Sequence, residues 1–119
     1  MSTFFLLDEN ELFKKLFQNY LEMKGHRVVG GATDGFECME KMKSFKTKPD
    51  FILINNGFSN DKSIEDLRRI SKLEPTSKII VIGYNDSEDE LYSAGAKSYI
   101  KKPFNIATFY RSIEKLTKN

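Results

Sequence analysis

Two carboxylates, Asp8 and Glu9, stand side by side directly after the apolar run 4–7. Adjacent acids at the end of a buried segment suit a hard divalent cation such as magnesium when a neighbouring segment supplies further oxygen ligands. Other reactive or polar groups close the later apolar runs. Asn55 and Asn56 follow residues 51–54, Gly83 and Tyr84 follow 79–82, and Lys101, Lys102 and Pro103 follow 98–100. A lysine brought to such a site would pair with the acids or with a phosphoryl oxygen. Elsewhere the chemistry is sparse. Cys38 is the only cysteine and His26 the only histidine, so an internal disulfide and a cysteine-built metal cluster are both excluded. The sequence has no Walker loop, GxGxxG, nucleophilic Ser with a catalytic His, or paired histidine ligands.

The elements that must position these residues are legible as a rhythm. Short β-rich segments at 4–7, 27–30, 51–54, 79–82 and 98–100 alternate with stretches of helical period. From 11 to 23 the residues Leu12, Phe13, Leu16, Phe17, Tyr20 and Leu21 make one apolar stripe, and Gly25 stops the helix. A second helix over 35–45 puts Phe36, Met39, Met42 and Phe45 on one face. A third carries Ile64, Leu67, Ile70 and Leu73 and ends before Pro75. A short fourth spans 87–94, with Asp86, Glu88, Asp89 and Glu90 at its electropositive start, and a fifth follows the cap Asn105. Strand–helix alternation of this kind predicts an α/β fold, a doubly wound five-stranded parallel sheet with five helices on its two faces. Ligands of such a sheet bind beyond the carboxyl ends of its strands, where the residues named above cluster.

The 119 residues predict one domain, 1–119, large enough to close a core. The formal charge of +2 gives no reason to expect nucleic-acid binding, and apolar runs of four cannot span a bilayer. Asp8 and Glu9 interrupt any signal-peptide core, so the expected location is cytoplasmic. Lys46, Lys48 and Pro49 read as a solvated loop, His26 as an exposed turn residue, Cys38 as a small core or near-surface residue of the second helix, and Met23, Met39 and Met42 as core filler.

The segments LLDEN (6–10), PDFILI (49–54), KIIVIG (78–83) and AGAKSYIKKPF (94–104) resemble response-regulator receiver domains, the CheY-like fold, over residues 4–116. The resemblance implies strand order 2-1-3-4-5, a flavodoxin-like topology, and a role in two-component phosphorelay signalling. It makes Asp8 and Glu9 the acidic pair that holds magnesium and Lys102 the phosphoryl-contacting lysine. It also places Tyr99 at the aromatic switch position and implies a cis peptide before Pro103.

Two positions depart from the family pattern. The phosphoacceptor aspartate is Asn55 here, and a neutral amide cannot form the acyl phosphate. The family's Thr or Ser at the end of the fourth strand is Gly83, which has no hydroxyl to donate. The loop NGFSNDKS from Asn56 to Ser63 also lacks the family's usual steps, and its Asn56–Gly57 pair is a turn signal. Asp8, Glu9 and Lys102 sum to −1, so magnesium is expected to bind weakly or not at all, with Lys102 pairing to Asp8 or Glu9 instead; no other cofactor is expected.

The reading that follows is a non-phosphorylatable, non-enzymatic pseudo-receiver acting through a protein partner, as a monomer or weak homodimer. One alternative is a working phosphorelay receiver in which Asn55 is a variant of the acceptor. Another is a small α/β enzyme or flavin-binding protein, disfavoured because Asp8, Glu9 and Glu11 would repel phosphate where a flavin loop needs glycine and hydroxyl groups. The resemblance assigns output to the fourth helix, fifth strand and fifth helix, which offer Tyr92, Lys97, Lys101, Phe109, Tyr110 and Arg111. Residues 91–119 hold six Lys or Arg against Glu114 alone, a net +5, whereas residues 1–90 hold thirteen against sixteen, a net −3. An acidic partner is therefore expected on the basic face.

Overall fold

In the computed structural model, which describes residues 1–55, 61–84 and 88–117, the alternation becomes five strands and five helices. The strands are β1 (Thr3–Leu7), β2 (Arg27–Ala32), β3 (Phe51–Asn55), β4 (Lys78–Gly83) and β5 (Ala96–Lys101). The helices are α1 (Glu11–Met23), α2 (Gly35–Met42), α3 (Asp61–Leu73), α4 (Glu88–Ala94) and α5 (Ile106–Thr117). All strand pairs are parallel, in the order β2-β1-β3-β4-β5. Because the strand period is two, the central strands feed two cores. Phe5, Leu7, Ile52, Ile54, Ile79 and Val81 meet Cys38, Met42, Ile64, Leu67, Ile70 and Leu91 of α2, α3 and α4. Phe4, Leu6, Phe51, Leu53, Ile80 and Ile82 meet Leu21, Phe109 and Ile113 of α1 and α5.

Local chemistry fixes the helix ends nearest the strand tips. Asn10, Asp34 and Asn105 each accept the amide of the residue three positions on, Phe13 at 3.1 Å, Glu37 at 2.8 Å and Thr108 at 2.8 Å, so each caps an N-terminus. Gly25, at φ +89, closes α1 and lets the His26 amide return to the Leu21 carbonyl at 3.0 Å.

Several side chains sit elsewhere than their pattern predicts. The α1 stripe covers about half the helix circumference, more than the sheet can bury. Leu21, Phe17 and Tyr20 pack inward, while Leu12, Phe13, Leu16 and Met23 remain exposed, so Met23 is not core filler. Phe36, at the first turn of α2, is 72% exposed; α2 stops at Met42, and Phe45 reaches the core from the following turn, edge-on to Phe5 at 5.9 Å. Leu73 is also partly open at the end of α3. Cys38 is fully buried, and burial and then the charge of Glu74 push its thiol up to about 12, leaving it unreactive.

Lys48 is a structural residue. Its ammonium lies 3.0 Å from the Glu74 carboxylate, which is buried at the end of α3, and donates to the Met42 carbonyl at 2.8 Å. Ser77 fastens the same corner by donating to the Pro49 carbonyl. A buried carboxylate at a helix end requires a cation, which the neighbouring connection supplies. Lys48→Met is expected to cost between about 1 and 2 kcal/mol, less than for a fully buried pair because Lys48 is partly in water. Urea unfolding of this variant and of Lys48→Met with Glu74→Gln checks it: removing the orphaned charge should recover most of the loss.

Candidate functional site

The carboxyl ends of β1, β3, β4 and β5 bring Asp8, Asn55, Gly83 and Lys102 to one edge of the sheet. Asp8 is buried directly after β1 and held there by its own amide, which donates to the Ala32 carbonyl at 3.0 Å. Its Oδ1 accepts the Asn10 amide at 2.8 Å and its Oδ2 accepts Asn55 Nδ2 at 2.8 Å. Both carboxylate oxygens of Asp8 thus accept a hydrogen bond, one from main chain and one from the Asn55 amide. Glu9 is exposed, so the adjacent acids of the sequence lie in different environments.

Asn55 is the last residue of β3 and only 7% exposed. The negative charge of Asp8 fixes its amide orientation, with nitrogen toward the carboxylate. Its Oδ1 is thereby left buried with no hydrogen-bond partner. Asp8, Glu9 and Asn55 Oδ1 are all oxygen donors of the type a hard cation takes, and the orphaned oxygen beside Asp8 fits that use. Their charge is low for the purpose: among the described residues no three His, Cys, Asp or Glu side chains form a metal-holding group.

Lys102 carries its ammonium 5.5 Å from the Tyr84 ring centre and 5.8 Å from that of Phe13. Desolvation lowers its pKa from the usual range, and the Asp8 charge opposes that shift. The Lys102–Pro103 peptide is cis. The Gly83 carbonyl accepts both the Lys102 amide and the Tyr99 hydroxyl, each at 2.8 Å. Tyr99 is therefore turned inward and buried, and its own amide donates to the Tyr92 hydroxyl at 3.2 Å. With no side chain at residue 83, the phenol reaches main chain at the strand end.

The expected output residues divide. Lys97, Lys101, Tyr92 and Arg111 are exposed, whereas Phe109 is fully buried among Phe17, Tyr20 and Phe104 and cannot meet a partner. Tyr110 is half-buried against His26 and Tyr20. A shallow cleft of about 510 Å³ runs between β5 and α5, lined by Tyr99, Lys101, Phe104, Asn105 and Thr108 among others. Residues 56–60 and 85–87, with the expected Asn56–Gly57 turn, Asp86 and Ser87, lie outside the described residues, as do the side chains of 61–63. Sequence reasoning missed the Phe13 and Tyr84 rings beside Lys102; a signal was present, since Phe13 stands one turn past the cap that follows Asp8 and Tyr84 directly follows β4.

This topology and placement are those of a receiver. Residues 4–114 match the response regulator receiver domain, and the chain belongs to that family, the receiver domains of two-component signalling. It is 29% identical over 116 residues to the chemotaxis protein CheY of Thermotoga maritima, covering 95% of each chain. It is also 31% identical over 106 residues to a protein-glutamate methylesterase/protein-glutamine glutaminase of Methanosarcina acetivorans, covering 85% of this chain and 29% of that longer protein. Among solved structures, the CheX–CheY–BeF3–magnesium complex of Borrelia burgdorferi superposes with a TM-score of 0.85 at 19% identity, covering 98% of this chain and 89% of that one. A Thermotoga maritima response regulator superposes at 0.83 with 24% identity, covering 100% and 99%. Among the described residues no helix is long and apolar enough to cross a membrane.

Proposed function

We propose that this receiver signals without being phosphorylated and works by binding a protein partner. The observation that carries the reading is the Asn55–Asp8 hydrogen bond at the acceptor position. An amide stands where the chemistry needs a carboxylate nucleophile, and its nitrogen occupies the acid that would help hold a cation. Magnesium, when bound, would supply positive charge to phosphoryl oxygens; here Asp8, Glu9 and Asn55 Oδ1 would hold it, weakly. The inward Tyr99, bonded to the Gly83 carbonyl, supports a signalling surface set by the sequence and independent of a phosphoryl group.

The partner surface is the α4–β5–α5 face, where Lys97, Lys101 and Arg111 stand exposed beside Tyr92. The excess of cations in residues 91–119 favours an acidic partner on the β5 and α5 part of this face, away from Glu88, Asp89 and Glu90 in the first turn of α4. Incubation with acetyl phosphate and magnesium is expected to leave the mass of the intact protein unchanged. Capture of its partner should weaken as salt rises and again in Lys101→Glu. A gain of one phosphoryl group on this site, or partner capture indifferent to both salt and Lys101→Glu, would sink the proposal.

A further inference from the structure

At the end of the sheet opposite the site lies a cluster that receiver chemistry leaves unused. His26, the only histidine, is half-buried just before β2, between the start of β1, the end of α1 and α5. Its Nδ1 accepts the Ser2 backbone N–H at 3.1 Å, its Nε2 lies 3.4 Å from the Tyr110 hydroxyl, and its ring meets Phe4 edge-on with centroids 5.3 Å apart. His26 is thus no exposed turn residue. A ring nitrogen that accepts an N–H carries no proton, so the proton of the neutral ring resides on Nε2 and is donated to Tyr110. The Ser2 carbonyl in turn accepts the Arg27 amide at 3.0 Å, so both backbone groups of Ser2 are engaged.

We propose that His26 is a pH-sensitive latch that fastens the start of β1 to β2 and α5 only while its ring is neutral. Protonation would have to occur at Nδ1, where the new N–H would face the Ser2 N–H, donor against donor. The charged surroundings disfavour it as well. From the end of α1, the Lys24 ammonium lies over the rings of Tyr110 and Tyr20, at 5.3 and 5.8 Å. The α-amine of Met1 precedes Ser2, and Arg27 follows the histidine. Tyr110 from α5 packs its ring against His26, and Tyr20 from α1 packs edge-on against Tyr110. The acid beside β1, Asp50, is committed to Thr3, whose amide it accepts at 2.9 Å.

Burial, and secondarily the N-terminal charge, hold His26 below its ordinary value of 6.5. The unfolded chain therefore binds the proton more readily than the folded one. The stability contributed by the latch is complete above pH 6.5, declines as pH falls toward the lower folded value, and declines no further below it.

The test follows the single histidine by NMR together with hydrogen exchange at the Arg27 amide. The His26 ring signals should titrate with a midpoint below 6.5. The Arg27 protection factor should fall several-fold between about pH 7.5 and about pH 5. In His26→Asn, where Oδ1 can still accept the Ser2 N–H but does not titrate, that fall should vanish. A midpoint at or above 6.5, equal Arg27 protection at both pH values, or an undiminished fall in His26→Asn would each overturn the latch. The two wild-type measurements decide the matter even if the variant does not fold.

Discussion

Asn55→Asp is expected to destabilise the protein by about 3 kcal/mol in the absence of magnesium and to make its stability magnesium-dependent. In the wild type, Asn55 donates to a buried Asp8 carboxylate across 2.8 Å. The substitution removes that charge-assisted bond and puts two carboxylates in its place. Two acids so close cannot both ionise easily, so the folded variant retains a proton and the apparent pKa of the pair rises. In that case the folded state binds more protons than the unfolded one. Stability is fully present below the unfolded carboxyl pKa of about 4 and is lost as pH rises through the raised value. Magnesium reverses the loss by binding the folded state alone, so stability should climb with the logarithm of its concentration. Urea unfolding of both proteins, with chelator and with added magnesium, measures this. A variant as stable as the wild type in chelator, or a wild type that gains as much from magnesium as the variant, would show that Asn55 is not what distinguishes this site.

The fold was legible because its signal is redundant. FILI and KIIVIG are apolar on both alternating faces, as a central parallel strand must be, and β3 and β4 bury every apolar side chain they carry. The site positions were legible because strand ends are fixed once the strands are, which placed Asp8, Asn55, Gly83 and Lys102 together. Which groups touch was not legible. The bonds from Asn55 and Asn10 to Asp8 could not be read from spacing, because they depend on how the side chains turn at the strand ends, while the Asp8 charge also acts on Lys102. Lys48 and His26 looked solvated because their partners, Glu74, Ser2 and Tyr110, are distant in sequence and join them only after the sheet has formed. Leu12 and Leu16 looked buried because periodicity reports an apolar stripe without reporting how much of it the sheet covers.

Gly95→Ala should be the most damaging small substitution outside the two cores, costing about 3 kcal/mol. Gly95 joins α4 to β5 at φ +125, a conformation that side-chain-bearing residues rarely adopt. A Cβ built there would also stand 2.5 Å from Ser71 Cβ on α3, too close for either atom to remain in place. The consequence reaches the signalling surface through register. The pairing of β4 with β5 passes from Ile79–Ala96 to Ile80–Ser98, so one extra residue, Lys97, is accommodated immediately after the Gly95 turn. That step sets which residues of β5 face inward, and Tyr99, opposite Val81, is turned toward the Gly83 carbonyl. A displaced turn should therefore loosen Tyr99 as well as lower stability. In Ser71→Gly, which removes the steric clash but leaves the backbone strain, Gly95→Ala should cost about 1 kcal/mol less than in the wild type. A double-mutant cycle by urea unfolding, with Tyr99 ring signals followed by NMR, separates the two causes. Equal costs in both backgrounds would assign the whole effect to the backbone angle, and an unperturbed Tyr99 in Gly95→Ala would break the link between this turn and the aromatic position.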